Sequence, residues 1–478
     1  MLFNSLEFCV FLPIIFALYW IIPKEKTKLR NGLTLLSSYF FYGWWDPRFL
    51  LLIFLSSLVD YWVGMALERA TSPSHRKMLL YASLATNLGI LFLFKYFNFF
   101  VENFTTAFTY LGTPIQHTWS LNLVLPVGIS FYTFQTLSYT IDVYKRKVGA
   151  CHDPLTFFAF VSFFPQLVAG PIERAGSLLQ QFGTQKTFDA ALGSHGLRLI
   201  LWGLFKKVVI ADGCALYVTQ IFASYELYQP HTLFLGSVLF VFQLYGDFSG
   251  YSDIAVGTAA LFGFRLIRNF QFPFFSRDIP EFWSRWHISL TRWFRDYVFI
   301  PLSLRRKGTT ALFANTLIVF GLTGFWHGPS WNFILFGLLH GLMFFPILAK
   351  LQSRSTGTIG EKTTLPSIVE LSKLVFTFGF LCFTGVFFRS ASLSDALGYL
   401  EGMLSWKILA IPTASQAKLL TLIALMMGVE WVQRFKHHGL DLSDRRLSKP
   451  LRWAVYASVL LLLIFFGKEP QDFIYFQF

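Results

Sequence analysis

From Ala311 to Ala349 the chain carries no Asp, Glu, Lys or Arg. A membrane-spanning helix needs roughly 20 apolar residues, and this run is nearly twice that. Gly328-Pro329 breaks it, because proline cannot continue a helix through its interior. The run therefore reads as two spanning helices that meet at a turn. Two histidines lie in it: His327, at the break in Gly324-Phe325-Trp326-His327-Gly328-Pro329, and His340, in Leu338-Leu339-His340-Gly341. Ionisable groups at bilayer depth are costly, so they face a protein interior or a watery cavity. Histidine also exchanges a proton near neutral pH. His327 is thus a candidate general base, or else a cap on a helix end. His340 is either a second functional group or a hydrogen-bond donor between helices.

Composition agrees with a membrane chain. Of 478 residues, 54% are hydrophobic and only 14% charged, with a mean hydropathy of +0.52. The expected fold class is all-α and polytopic, one integral-membrane domain over residues 1–478 with about 11 to 12 crossings. A net charge of +14 would suit a nucleic-acid binder, but the basic residues fall in short clusters between apolar runs, as topology determinants do. The four cysteines are scattered without CxxC spacing, so neither a disulfide framework nor a metal site is expected.

Basic clusters assign the sides. Lys24-Glu25-Lys26-Thr27-Lys28-Leu29-Arg30, His75-Arg76-Lys77, Lys145-Arg146-Lys147, Arg305-Arg306-Lys307, Arg434-Phe435-Lys436 and Arg445-Arg446 are expected inside. The loop Val101–Ser120 is expected outside. Leu155–Gly170 is apolar but interrupted by Pro165, and reads as a re-entrant or tilted segment. Leu197–Phe222 carries Arg198, Lys206, Lys207 and Asp212, and its first half is expected at the inner interface, where Lys and Arg can snorkel. Leu233–Phe262 carries Gln243, Asp247 and Asp253 in a membrane-like run. These carboxylates either serve a site or pair with neighbouring arginines as structural glue.

The stretch Arg277–Arg306 differs in kind. Asp278 and Pro280 make a helix start. Trp283, Trp286, Leu290, Trp293, Phe294 and Tyr297 then recur at helical spacing. Glu281, Arg285, Arg292 and Asp296 fall on another face. The spacing predicts one amphipathic helix on the inner side, with His287 on its aromatic face. His287 is either a second catalytic or orienting group, or a core histidine bonded to a carbonyl.

Several stretches resemble the membrane-bound O-acyltransferase family, in particular its alginate O-acetylation branch, related to the teichoic acid D-alanine transfer proteins. They are Tyr42-Gly43-Trp44-Trp45-Asp46-Pro47, Pro165–Ile172, Gln243–Asp253, Phe282–Leu290 with Trp293–Tyr297, Phe325-Trp326-His327-Gly328, and the terminal Phe-Ile-Tyr-Phe pattern. The resemblance implies a helical bundle with re-entrant segments and a central passage. It places the family's essential histidine at His327 and its second motif histidine at His287. Trp283, Trp286, Trp326, Asp247, Asp253 and His340 are the candidate substrate-binding groups.

The function implied is acetyl transfer from cytoplasmic acetyl-CoA across a bacterial inner membrane, for O-acetylation of an extracytoplasmic polysaccharide such as an alginate-like exopolysaccharide or peptidoglycan. Acetyl-CoA enters as a substrate, with no bound cofactor, and an extracytoplasmic acetyltransferase is the implied partner. His327 would deprotonate the acceptor hydroxyl, and His287 would orient the thioester or polarise its carbonyl. Direct transfer and a covalent acyl-histidine relay both remain open. Two other readings stand beside this one: D-alanyl transfer from a carrier protein, and transport of a glycan or lipid, a class that also uses broken helices and intramembrane carboxylates.

Overall fold

The computed structural model describes residues 1–113, 120–121, 123–168, 170–305, 307–351, 357–360, 365–405, 414–442, 447–467, 471 and 473–474. Ala169, Arg306, Arg445-Arg446, the last four residues, and parts of the expected outer loop and of the polar loop Lys350–Pro366 lie outside the described residues. The structure is 76% helical, with no strand among the described residues. Among those residues seven helices are long and apolar enough to cross a membrane: Phe49–Arg69, Pro73–Tyr110, Pro230–Leu261, Thr309–His327, Trp331–Leu348, Ile368–Arg389 and Lys449–Phe466. Leu6–Ile21 is apolar but shorter. The chain divides into two compact units, Met1–Ala190 with Leu261–Leu266, and Ala191–Ala260 with Ile267–Phe478.

The first unit packs helices around a buried carboxylate. Asp60, on Phe49–Arg69, accepts from Ser83 Oγ at 2.5 Å, Asn87 Nδ2 at 2.8 Å and Thr140 Oγ1 at 3.1 Å. A buried polar group needs such partners to offset its lost hydration. The interrupted segment appears as two short helices, Pro154–Ser162 and Phe164–Leu167, broken at Phe163 just before Pro165.

In the second unit, Ala190–Leu204 runs through a π-helical turn, Phe205–Ala211, into Asp212–Ala223. It packs against Pro230–Leu261 at backbone contact: a Cβ on Gly203 would stand 2.5 Å from the Gly250 carbonyl oxygen. At so close an approach only glycine fits.

The π turn carries Lys206 and Lys207. Neither snorkels: they are 2% and 1% exposed. Lys206 pairs with Asp253 at 2.8 Å, and Lys207 with both Asp212 and Asp247 at 2.8 Å. Buried cations are held where carboxylates neutralise them. The same cluster holds the end of the described chain, since Lys207 donates to the Gln471 carbonyl and the Ile474 amide donates to Asp247.

The stretch expected as one amphipathic helix is broken. Asp278 caps Ile279–Arg285 by accepting from the Glu281 amide, as its start signal implied. The helix stops at Trp286. His287 takes a left-handed backbone, φ 41° and ψ 53°, and a second helix, Ile288–Phe294, begins after it. The two segments keep the aromatic periodicity that simulated a single helix, but a non-glycine residue in this region is strained and ends the hydrogen-bond ladder.

Candidate active site

Thr309–His327 and Trp331–Leu342 form the tightest helix pair of the second unit, with Gly328-Pro329 at the turn between them. A Cβ on Gly324 would lie 2.0 Å from the Phe333 carbonyl oxygen, and one on Gly337 2.0 Å from that of Phe320. Small residues let the two backbones touch. That contact sets His327, on the last residue of the first helix, and His340, on the second, around one cavity.

The cavity is small, with a volume of ≈ 40 Å³, and is walled by aromatic and aliphatic groups, among them Phe240, Phe336 and Phe388, with His327, His340, Trp283 and Trp286 in its lining. His327 is 3% exposed. Its ring lies 5.2 Å from that of Phe388 and 4.9 Å from that of Trp326. Trp283 also lines a second, open groove of ≈ 490 Å³ with Ser284, Thr291, Arg292 and Arg295. One indole thus forms a wall of both spaces.

The two other histidines are fully buried. His340 Nδ1 accepts from Trp283 Nε1 at 3.1 Å, and its Nε2 lies 3.1 Å from Thr384 Oγ1. The Thr384 hydroxyl gives its own hydrogen to the Phe380 carbonyl, so Nε2–H must donate to it. His340 is a neutral ring with both nitrogens committed. His287 Nδ1 lies 3.2 Å from Asn269 Oδ1. Its ring stands edge-on to Phe248 at 4.7 Å and 5.8 Å from Trp326. Trp326 is therefore in ring contact with both His287 and His327. Burial pushes the His287 imidazole down to about 3, which keeps it uncharged.

Of the residues singled out from sequence, the cavity gathers His327, His340, Trp283 and Trp286, with Trp326 touching the His327 ring. His287, Trp326, Asp247 and Asp253 are not in its lining. Among the described residues neither aspartate forms an ion pair with an arginine; their partners are Lys207 and Lys206. Sequence reading missed Asn269 and Thr384. Each is a small polar residue that meets its histidine across a loop or a separate helix, and no periodicity reports such a contact.

The class of protein is an all-α, multi-pass membrane protein with a histidine on a helix break in an aromatic-lined cavity. The family follows from comparison: residues 47–388 match the membrane-bound O-acyltransferase family, and the chain belongs to it. It is a membrane-bound O-acyltransferase. Among its relatives is a probable alginate O-acetylase AlgI of Pseudomonas putida, 38% identical over 413 residues, covering 85% of this chain and 81% of that protein. A peptidoglycan O-acetyltransferase of Helicobacter pylori is 34% identical over 432 residues, 84% of this chain and 80% of that protein. A teichoic acid D-alanyltransferase of Bacillus subtilis is 28% identical over 292 residues, 57% and 71% respectively.

Proposed function

We propose that this enzyme moves an acetyl group from acetyl-CoA on the cytoplasmic side of a bacterial inner membrane towards O-acetylation of an extracytoplasmic polysaccharide, an alginate-like exopolysaccharide or peptidoglycan. The observation that carries the reading is His327, a buried histidine on a broken helix end in an aromatic-lined cavity, within a chain related to acetylases of both polymers. His327 takes the proton of the acceptor hydroxyl. The oxygen attacks the thioester carbonyl carbon, the C–S bond breaks, and the leaving thiolate recovers the proton. The hydroxyl belongs to the glycan, or to a relay group on an extracytoplasmic acetyltransferase that works beside this protein. A general base of this kind is worth about 10²- to 10⁴-fold.

Polarising the thioester carbonyl would need a ring N–H. The Nδ1 of His287 faces the Asn269 amide oxygen, so we give His287 the role of orienting the thioester rather than polarising its carbonyl. D-alanyl transfer is the second reading, favoured by the D-alanyltransferase relative. The test is release of free coenzyme A from acetyl-CoA by the protein in lipid, with candidate partner and glycan added. Release that disappears in a folded His327→Ala variant is the expected result. A variant that keeps the wild-type rate removes His327 as base. A wild type that uses only a D-alanyl carrier protein moves the assignment to D-alanyl transfer.

A further inference from the structure

We infer that Asn269 is the positioning residue of His287, selecting the tautomer in which Nδ1 carries the hydrogen and Nε2 the lone pair. The inference rests on the acyltransferase reading above for its consequence, but not for its geometry. Asn269 is 1% exposed. Its Oδ1 accepts from the Ser289 backbone amide at 3.2 Å and from the Ser289 hydroxyl at 2.8 Å, and lies 3.2 Å from His287 Nδ1. A backbone N–H can only donate, so the atom facing Ser289 must be the amide oxygen; the flipped amide would set two donors against each other. With an acceptor fixed there, His287 Nδ1 must carry the hydrogen. A neutral imidazole has one N–H, so Nε2 keeps its lone pair.

The backbone supports the same assignment. His287 is one of four non-glycine residues with positive φ among the described residues. Its strained turn is bracketed by two backbone bonds, Ile288 N to Asn269 O at 2.9 Å and Gln271 N to Arg285 O at 2.9 Å. Strain persists where the surroundings over-determine it, and such places cluster at functional sites. Asn269 thus holds both the position of the ring and its protonation pattern. Ser289, two residues past the histidine in Trp286-His287-Ile288-Ser289, fixes the Asn269 amide in turn. An orienting partner of a histidine that fails to supply the right tautomer costs enzymes of other folds up to about 10⁴-fold.

The experiment compares wild type, Asn269→Leu and Asn269→Asp, in lipid and with ¹⁵N-labelled histidine; the His287 resonances are assigned by their loss in His287→Gln. Wild type and Asn269→Asp, which keeps an acceptor oxygen, are expected to show the Nδ1–H pattern. Asn269→Leu is expected to lose it and to lower kcat at least tenfold with KM for acetyl-CoA changed less than threefold. A role in stability alone predicts the opposite order, because a buried carboxylate is harder to accommodate than leucine. Asn269→Leu retaining wild-type kcat overturns the inference, as does an Nε2–H pattern in the wild type. If the wild type releases no coenzyme A with any donor or partner, the acyl-transfer reading fails, and the tautomer still decides the positioning role. If Asn269→Leu does not fold, the wild-type and Asn269→Asp resonances decide it.

Discussion

His287 and His340 are both wholly buried and both ringed by aromatic side chains, yet their surroundings use the imidazole in opposite ways. Around His340 a donor, Trp283 Nε1–H, meets Nδ1, and an acceptor, Thr384 Oγ1, meets Nε2. Around His287 an acceptor, Asn269 Oδ1, meets Nδ1. The first ring is a Nε2–H tautomer tied into a bridge from the helix Ile279–Arg285, through Trp331–Leu342, to Ile368–Arg389. The second is a Nδ1–H tautomer on a strained turn. Burial alone does not distinguish two such histidines; an account of each donor and acceptor does.

The largest effect belongs to the third histidine. His327→Ala is expected to lower coenzyme A release about 10³-fold, within the span of a lost general base, while the protein elutes and melts in detergent like the wild type. An equal loss in His340→Phe would break the comparison, since it would give the fully bonded ring a part in the reaction.

Next comes the contrast itself. His287→Gln is expected to lower kcat tenfold or more with little change in melting temperature. His340→Phe keeps a flat aromatic ring, slightly larger, but strips both nitrogens, leaving the buried Trp283 N–H without its acceptor. An orphaned donor costs about 1–3 kcal/mol, so its melting temperature should fall while kcat/KM of the folded fraction stays within about fivefold. A reversal of the two outcomes exchanges the two roles.

Much of this was legible in the chain. The uncharged run, its break at Gly328-Pro329 and the two histidines in it placed His327 on a helix end and His340 within a helix, as observed. Asp278 marked its helix start correctly. What was not legible came from two sources. Periodicity cannot register a single left-handed residue, so the helix through Trp286-His287 was expected to be continuous. Partners distant in sequence are equally silent. Nothing local to Lys206 and Lys207 says that they are buried against Asp212, Asp247 and Asp253 rather than snorkelling, and nothing local to Asn269 says that it faces a residue eighteen positions on.

A smaller effect probes the helix pair that carries two of the three rings. Gly324→Ala puts a methyl group where the Phe333 carbonyl oxygen sits, and Thr309–His327 must separate from Trp331–Leu342. Overpacking of this kind costs about 1–3 kcal/mol. Thermal stability in detergent should fall by that order, and activity with it, because His327 moves relative to its cavity. The Nδ1–H signature of His287 should be unchanged, since Asn269 and Ser289 lie on neither helix. If that signature altered too, the two neighbourhoods would be mechanically one.

The smallest effect tests the His340 bridge at its far end. Thr384→Val is close to isosteric and removes the oxygen that accepts from Nε2–H, together with the Thr384 bond to the Phe380 carbonyl. Within a helix that carbonyl keeps its main-chain partner, so the loss falls on the histidine. With Trp283 still donating to Nδ1, the ring cannot change tautomer without placing two N–H groups face to face. It retains a buried donor with nothing to receive it, at about 1–3 kcal/mol. The expected readout is a lowered melting temperature with kcat within about twofold. Adding Trp283→Phe should restore no stability, because the ring hydrogen then has no acceptor at either nitrogen. A double variant as stable as Thr384→Val alone would mean that the indole N–H contributes nothing to holding the ring, and the bridge would not be a unit.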